Sequence, residues 1–159
     1  MATEPRRVRP PKRQPPGGGP RTIDRLVEEG PFETKQKALM FAASVGVHFG
    51  RREALDKTEE PIRWQIFQNN YDDSFIQALG VSEAEGLEVL ADEEGDAYVG
   101  LFEEYANGGL AYLEQHVLSQ PVDLLDALVD LLLQVRRGSE RQRGGLENIA
   151  PGQLDALGL

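Results

Sequence analysis

KQKALMFAASVGVHFGRRE, residues 35–53, is the stretch on which the fold turns. Leu39, Met40, Phe41, Ala42, Ala43, Val45 and Val47 cover nearly every face of a helix, and a helix that is apolar on most faces has to be buried. Thr34 stands where an N-cap is needed, and Phe32 is placed to fold back as a hydrophobic staple. Ala42, Ala43 and Gly46 would let another helix approach closely. Gly50 then ends the helix, and Arg51 and Arg52 follow side by side. Cations at a helix C-terminus satisfy the last carbonyls and contribute about 0.3–1 kcal/mol. Together with Arg63, Lys35 and Lys37 they also form a concentration of cations, and guanidinium groups grip carboxylate or phosphate bidentately. Three readings therefore stand for Arg51 and Arg52: helix closure that positions the loop to Trp64, an anion site, or a bridge to acidic partners in the chain.

Outward from this helix the chain reads as a series of further helices. TIDRLVEE can be capped by Thr22, and Gly30-Pro31 ends it. PIRWQIFQ (61–68) is ambiguous, because Ile62, Trp64 and Ile66 alternate like a strand while Ile62, Ile66 and Phe67 share a helical face. Helix is favoured, since no pairing strand is evident. Asp73 or Ser74 caps SFIQALG, and GLEVLA (86–91) could be extended. From Asp96 to Ser119 the apolar residues Tyr98, Leu101, Phe102, Tyr105, Leu110, Leu113 and Val117 keep helical register across Asn107-Gly108-Gly109. That implies a continuous helix at a closely packed crossing, with a left-handed turn splitting it as the alternative. VDLLDALVDLLLQV (122–135) is the strongest helical pattern, with Asp123, Asp126 and Asp130 on one face and Arg136 and Arg137 at its end.

The expected architecture is all-α: an irregular bundle of five to seven helices over residues 22–137. Ahead of it lies an arm, residues 1–21, with six prolines and three glycines in its first twenty positions and too few apolar side chains to offset chain entropy. The expectation is a disordered basic arm whose Arg6, Arg7, Arg9, Lys12 and Arg13 offer an electrostatic contact to nucleic acid. Residues 138–159 read as a glycine-rich flexible tail with a short final turn near Leu154 to Leu157. There is no apolar run long enough to span a membrane, no secretion signal and no cysteine, so the expected setting is the cytoplasm.

The net charge of −10 is unevenly laid out. Residues 1–21 carry +5, residues 22–70 carry −1, residues 71–135 carry −15 with no Lys or Arg at all, and residues 136–159 carry +1. Cations and carboxylates are thus expected to occupy separate territories, with an acidic face that repels nucleic acid and attracts basic protein. Glu93, Glu94 and Asp96 in the run VSEAEGLEVLADEEGDAYVG are candidates for such a face. The run lacks calcium-loop spacing, and no metal or cofactor is expected. Glu103, Glu104, Asn107 and Gly108 are either helix packing or an exposed partner contact. His48 reads as a packed histidine near a helix end. No catalytic triad, phosphate loop or zinc motif occurs, so the expectation is a protein that is not an enzyme and has no small-molecule substrate.

KALMFAASVGVHFGRREAL, EPIRWQIF and LFEEYANGGLAYLEQHV resemble, in this order and spacing, the DNA phosphorothioation (Dnd) system-associated protein 4 family. The resemblance covers about residues 25–135 and leaves the arm outside. It implies a cytoplasmic bacterial accessory to DNA modification or restriction in antiviral defence, with partners encoded in the same operon. It carries no catalytic residues. Two functions follow as expectations: an accessory binding protein through its acidic face, or a DNA-binding accessory using the arm with Arg51, Arg52 and Arg63.

Overall fold

The computed structural model describes residues 5–91 and 96–147. Among these the order is β1 (Arg7–Val8), α1 (Thr22–Glu28), α2 (Lys35–His48), β2 (Ile62–Arg63), α3 (Trp64–Asn69), α4 (Asp73–Ala84), a 3₁₀ turn (Leu87–Ala91), α5 (Asp96–His116) and α6 (Leu124–Glu147). The all-α class expected from the sequence is what is found. The chain divides into two compact units, Met1–Ser119 and Gln120–Leu159.

In the first unit α2 and α5 share the most extensive contact. Ala42 and Ala43 are fully buried, and a Cβ added to Gly109 would lie 1.7 Å from the Ala42 carbonyl oxygen. One added to Gly46 would lie 2.1 Å from the Tyr105 carbonyl oxygen. Two backbones therefore touch with nothing between them, which only residues lacking a Cβ permit. α5 runs unbroken through Asn107-Gly108-Gly109, as the register of its apolar stripe required. Around this crossing Ile23, Leu26, Leu39, Phe67, Ile76, Phe102, Leu110 and Leu113 are almost wholly buried, and Phe67 meets Phe102 edge-on at 6.0 Å.

The ends of α2 follow from its sequence. Thr34 Oγ1 accepts from the Lys37 N–H, and Phe32 packs on Phe41 with ring centroids 5.0 Å apart. At the other end Gly50 takes φ 63°, the Arg51 N–H donates to the Gly46 carbonyl at 2.7 Å, and the Gly50 N–H donates to that of Val47 at 3.3 Å. This double bond pattern satisfies two otherwise orphaned carbonyls and turns the chain sharply.

Several local readings change. Thr22 is the first residue of α1 rather than its cap, and its buried side chain is engaged elsewhere. PIRWQIFQ is both things in succession: Ile62 and Arg63 form β2 and Trp64 begins α3. The pairing strand that was not evident is in the arm, with Arg7 opposite Arg63 and Val8 opposite Ile62, antiparallel. Leu87–Ala91 is a 3₁₀ turn rather than extended. α4 begins at Asp73, preceded by Asp72 without a side-chain cap, so neither Asp73 nor Ser74 caps it. His48 is exposed, meeting Phe49 edge-on, rather than packed.

The arm precedes the helices, as expected, but its seat was not legible from composition. Residues 5–21 lie along the domain: Val8 is fully buried, Pro10 and Pro11 are buried, and Pro11 bridges to Thr58. Three backbone bonds, Lys12 N–H to Lys57 O, Glu59 N–H to Pro10 O and Trp64 N–H to Arg6 O, hold it in place.

In the second unit α6 continues to Glu147, ten residues past the expected boundary at 137. Its later half is mostly Arg, Gln and Glu, good helix formers, with an Arg136–Glu140 pair one turn apart, and these outweigh Gly138, Gly144 and Gly145. The final turn expected near Leu154 to Leu157 lies outside the described residues. Among the described residues no helix is long and apolar enough to cross a membrane.

Gly109→Ala is expected to force α2 and α5 apart and to cost about 3 kcal/mol, near the top of the overpacking range. Gly138→Ala meets open space and is expected to stabilise α6 by about 1 kcal/mol. Thermal melts of the two variants followed by circular dichroism should move in opposite directions.

Candidate functional site

Glu103, Asn107 and Glu114 are four and seven residues apart on α5, so they share one face, and Leu110 lies between them. All three are buried. A buried carboxylate needs a cation and further hydrogen bonds to remain ionised without a large penalty. Residues of the arm supply them. The Arg9 guanidinium forks onto Glu103 through Nε (3.1 Å to Oε2) and Nη2 (2.9 Å to Oε1), and the Arg9 backbone N–H donates to the same carboxylate at 2.5 Å. Arg13 forks onto Glu114 with Nε and Nη2 both at 3.1 Å, while its Nη1 reaches Glu53 at 2.9 Å and Asn107 Oδ1 at 3.0 Å. Thr22 Oγ1 donates to Glu114 Oε1 at 2.5 Å. Asn107 uses its amide to donate to the Ala54 carbonyl at 3.0 Å, which fixes the chain leaving α2.

Two neighbouring arrangements repeat the pattern. Buried Glu59 accepts from Arg21 at 2.6 Å and from Lys35 at 2.8 Å, and Lys35 also reaches Asp24 at 3.1 Å. Arg6 lies over the rings of Trp64 and Tyr98, 5.4 and 5.2 Å from their centroids, and donates to the Tyr98 hydroxyl. Among the described residues no buried side-chain nitrogen or oxygen lacks a partner.

The charge states follow from these contacts. Burial works against the Arg13 cation, but Glu114 and Glu53 outweigh it and push its pKa up. Lys35 is raised by its bond to Glu59, and Arg52 by its bond to Glu104. Tyr105, donating to Glu83 at 2.7 Å, is raised by that bond and by burial. Asp72 is raised by burial and by adjacent Asp73, although Gln36 donates to it.

The sequence-derived site is thereby redistributed. Arg52 pairs with Glu104, Arg51 lies over Tyr112 at 5.8 Å, and Arg63 sits on the β1–β2 ribbon, so each takes a separate role. Gly108 is a packing residue, since a Cβ there would lie 2.2 Å from the Arg51 carbonyl oxygen. Glu103, Asn107 and Glu104 are engaged internally as well. Glu93 and Glu94 lie outside the described residues, and Asp96 opens α5. The expectation of separate territories of charge does not hold: Arg9, Arg13 and Arg52 sit on Glu103, Glu114 and Glu104 of the cation-free span.

Arg21, Glu53, Glu59 and Glu114 carry no local sequence signal of a site, and Thr22 reads there only as a helix cap. A weak signal lies in spacing alone. Four residues of extended chain from Arg9 to Arg13 span about 13 Å, and eleven helical residues from Glu103 to Glu114 span about 16 Å. Long arginine side chains cover the difference. An open cleft of about 660 Å³ lies beside this seam, between Pro15, Pro16 and Pro20 of the arm and Arg25 and Leu118. The Arg13–Glu114 pair forms part of its wall, so those two charges are already compensated.

The fold and its seam define an irregular α-helical domain strapped by its own N-terminal arm. The chain belongs to the DNA sulphur modification system-associated protein 4 family, whose model matches residues 21–149. It is thus an associated protein of a DNA sulphur modification system. The match extends beyond residues 25–135, over which the resemblance was drawn, and begins where the arm ends. No curated protein and no solved structure matches the chain.

Arg13→Ala is expected to lower stability by about 2–3 kcal/mol, because it leaves Glu114 buried with only a hydroxyl partner. Arg9→Ala should cost less, since the Arg9 side chain is 55% exposed and water can replace part of its contact. Denaturant titration of both variants checks the order. For Asp72 the folded pKa lies above the unfolded value near 3.8, so the ionised form disfavours folding and stability falls as pH rises through the folded pKa. Asp72→Asn should therefore gain stability relative to the parent at pH 7 and lose that advantage below pH 3.8.

Proposed function

We propose that the protein is a non-enzymatic accessory that binds another protein of a DNA sulphur modification system acting in bacterial modification and restriction. The observation that carries this reading is the surface of α6. Leu125, Val129, Leu132 and Leu133, with Val122 just ahead of the helix, are 41–54% exposed and fall at spacings of three, four, three and one residues. Asp123, Asp126 and Asp130 lie beside this stripe and are also exposed. An apolar stripe bordered by carboxylates suits a partner with an apolar strip bordered by cations: the apolar part supplies affinity and the charges supply rate and orientation. Glu85 and Glu88, exposed near Leu87, add to the acidic surface of the first unit.

The contacts made by the α5 carboxylates support the absence of chemistry in this proposal. Glu103 and Glu114, the buried carboxylates of α5, are held by arginines and have a structural task. Reading the whole arm as a DNA contact is favoured less, because Arg6, Arg9 and Arg13 face inward contacts.

Capture of the other proteins of the same system by the tagged chain tests this. Replacing Asp123, Asp126 and Asp130 together by Lys, or Leu132 by Ser, is expected to reduce capture at least about tenfold while the first unit melts unchanged, a loss on the scale of one hot spot. Reversal at Glu93, Glu94 and Asp96 should act mainly through rate, and its effect should fade in higher salt. Capture that is indifferent to the α6 variants would remove this reading.

A further inference from the structure

The cations of residues 5–70 sort into three groups. Arg6 and Arg51 lie over aromatic rings. Arg9, Arg13, Arg21, Arg25, Lys35, Lys37 and Arg52 are in ion pairs. Arg7, Lys12, Lys57 and Arg63 have no salt bridge or ring contact among the described residues, and all four are exposed. They converge on one feature. Arg7 and Arg63 are direct partners across the β1–β2 ribbon, on the side opposite buried Val8. Past the Pro10-Pro11 irregularity the two segments stay side by side: Pro11 bridges to Thr58, and the Lys12 N–H donates to the Lys57 carbonyl at 2.8 Å. The ribbon therefore carries two like-charged pairs, Arg7 with Arg63 and Lys12 with Lys57.

Like charges directly opposite on paired strands destabilise the pairing. Here they recur at both ends of a short ribbon in a chain whose other cations in this span have partners. We propose that this ribbon grips the phosphate backbone of a nucleic acid, one cation pair at each end. Five extended residues separate Arg7 from Lys12, about 16 Å. Duplex DNA carries one charge per about 1.7 Å of axis, so a polyanion presents phosphate to both pairs at once, without the matched spacing an acidic peptide would need. Asp56 and Glu60 flank the row, and the net charge is −10, so binding is weak and depends on the paired geometry rather than on bulk attraction. The surface is distinct from the α6 stripe, and its failure would leave the protein-binding reading standing.

The test is fluorescence anisotropy of a labelled duplex with the full chain at low salt. Four phosphate contacts predict that affinity falls about 100-fold between 50 and 200 mM salt. Arg63→Glu puts opposite charges across the ribbon, so it should preserve or raise the melting temperature while weakening binding at least about tenfold. Lys57→Glu should weaken it similarly, and the double variant should flatten the salt dependence. Arg143→Glu on α6, an equal change in net charge, is the control and should have little effect. Absence of duplex binding by the parent at low salt, or equal weakening by Arg143→Glu and Arg63→Glu, overturns the proposal. So does unchanged binding by a folded Arg63→Glu protein.

Discussion

The backbones of α2 and α5 meet without side chains between them, and this contact sets the geometry of the first unit. Gly46, Gly108 and Gly109 remove every Cβ that would hold the helices at ordinary spacing, and the Ala42, Tyr105 and Arg51 carbonyls occupy the vacated space. Close approach fixes the rotation of α5 about its axis. With that rotation fixed, one face of α5 enters the apolar core and the face bearing Glu103, Asn107 and Glu114 is left for polar partners. The αL closure at Gly50 belongs to the same constraint, because it delivers Arg51 to Gly108, Glu53 to the Glu104 carbonyl and Ala54 to Asn107.

A polar stripe under a protein surface is unstable unless its charges are met. The arm answers that requirement with side chains rather than with a core of its own. Its prolines keep the chain extended without needing the strand hydrogen bonds they could not donate, and the arginines between them reach the stripe. The cross-strand pairing of Val8 with Ile62 then ties the arm to the start of α3, so one extended segment links the loop after α2, the face of α5 and the entry to α3. Bidentate geometry sets the register of the arm along the helix, which a lysine at the same positions would not do.

Internal pairing also decides what the molecule presents outward. A chain that looks divided into a basic front and an acidic body uses much of that contrast within itself. Among the described residues, the surfaces left exposed include an apolar stripe with aspartates on α6 and a short basic ribbon on the first unit. These are the two surfaces on which the proposed binding roles rest.

The main helices and the crossing of α2 with α5 were legible in the residues themselves, although several helix ends were not. Apolar periodicity, the Thr34 cap, the Gly50 closure and unbroken register across Asn107-Gly108-Gly109 are local signals, and local geometry produces them. The sequence by itself did not determine which charges are available. The pairs that seal α5 join residues 94 and 101 positions apart, Arg9 with Glu103 and Arg13 with Glu114, and no local pattern encodes such a meeting. The same limit hid β2, whose partner strand lies over fifty residues away in a segment that composition marks as unstructured. These features belong to the tertiary fold, because a salt bridge or a strand pair between segments distant in sequence exists only where the folded chain brings them together.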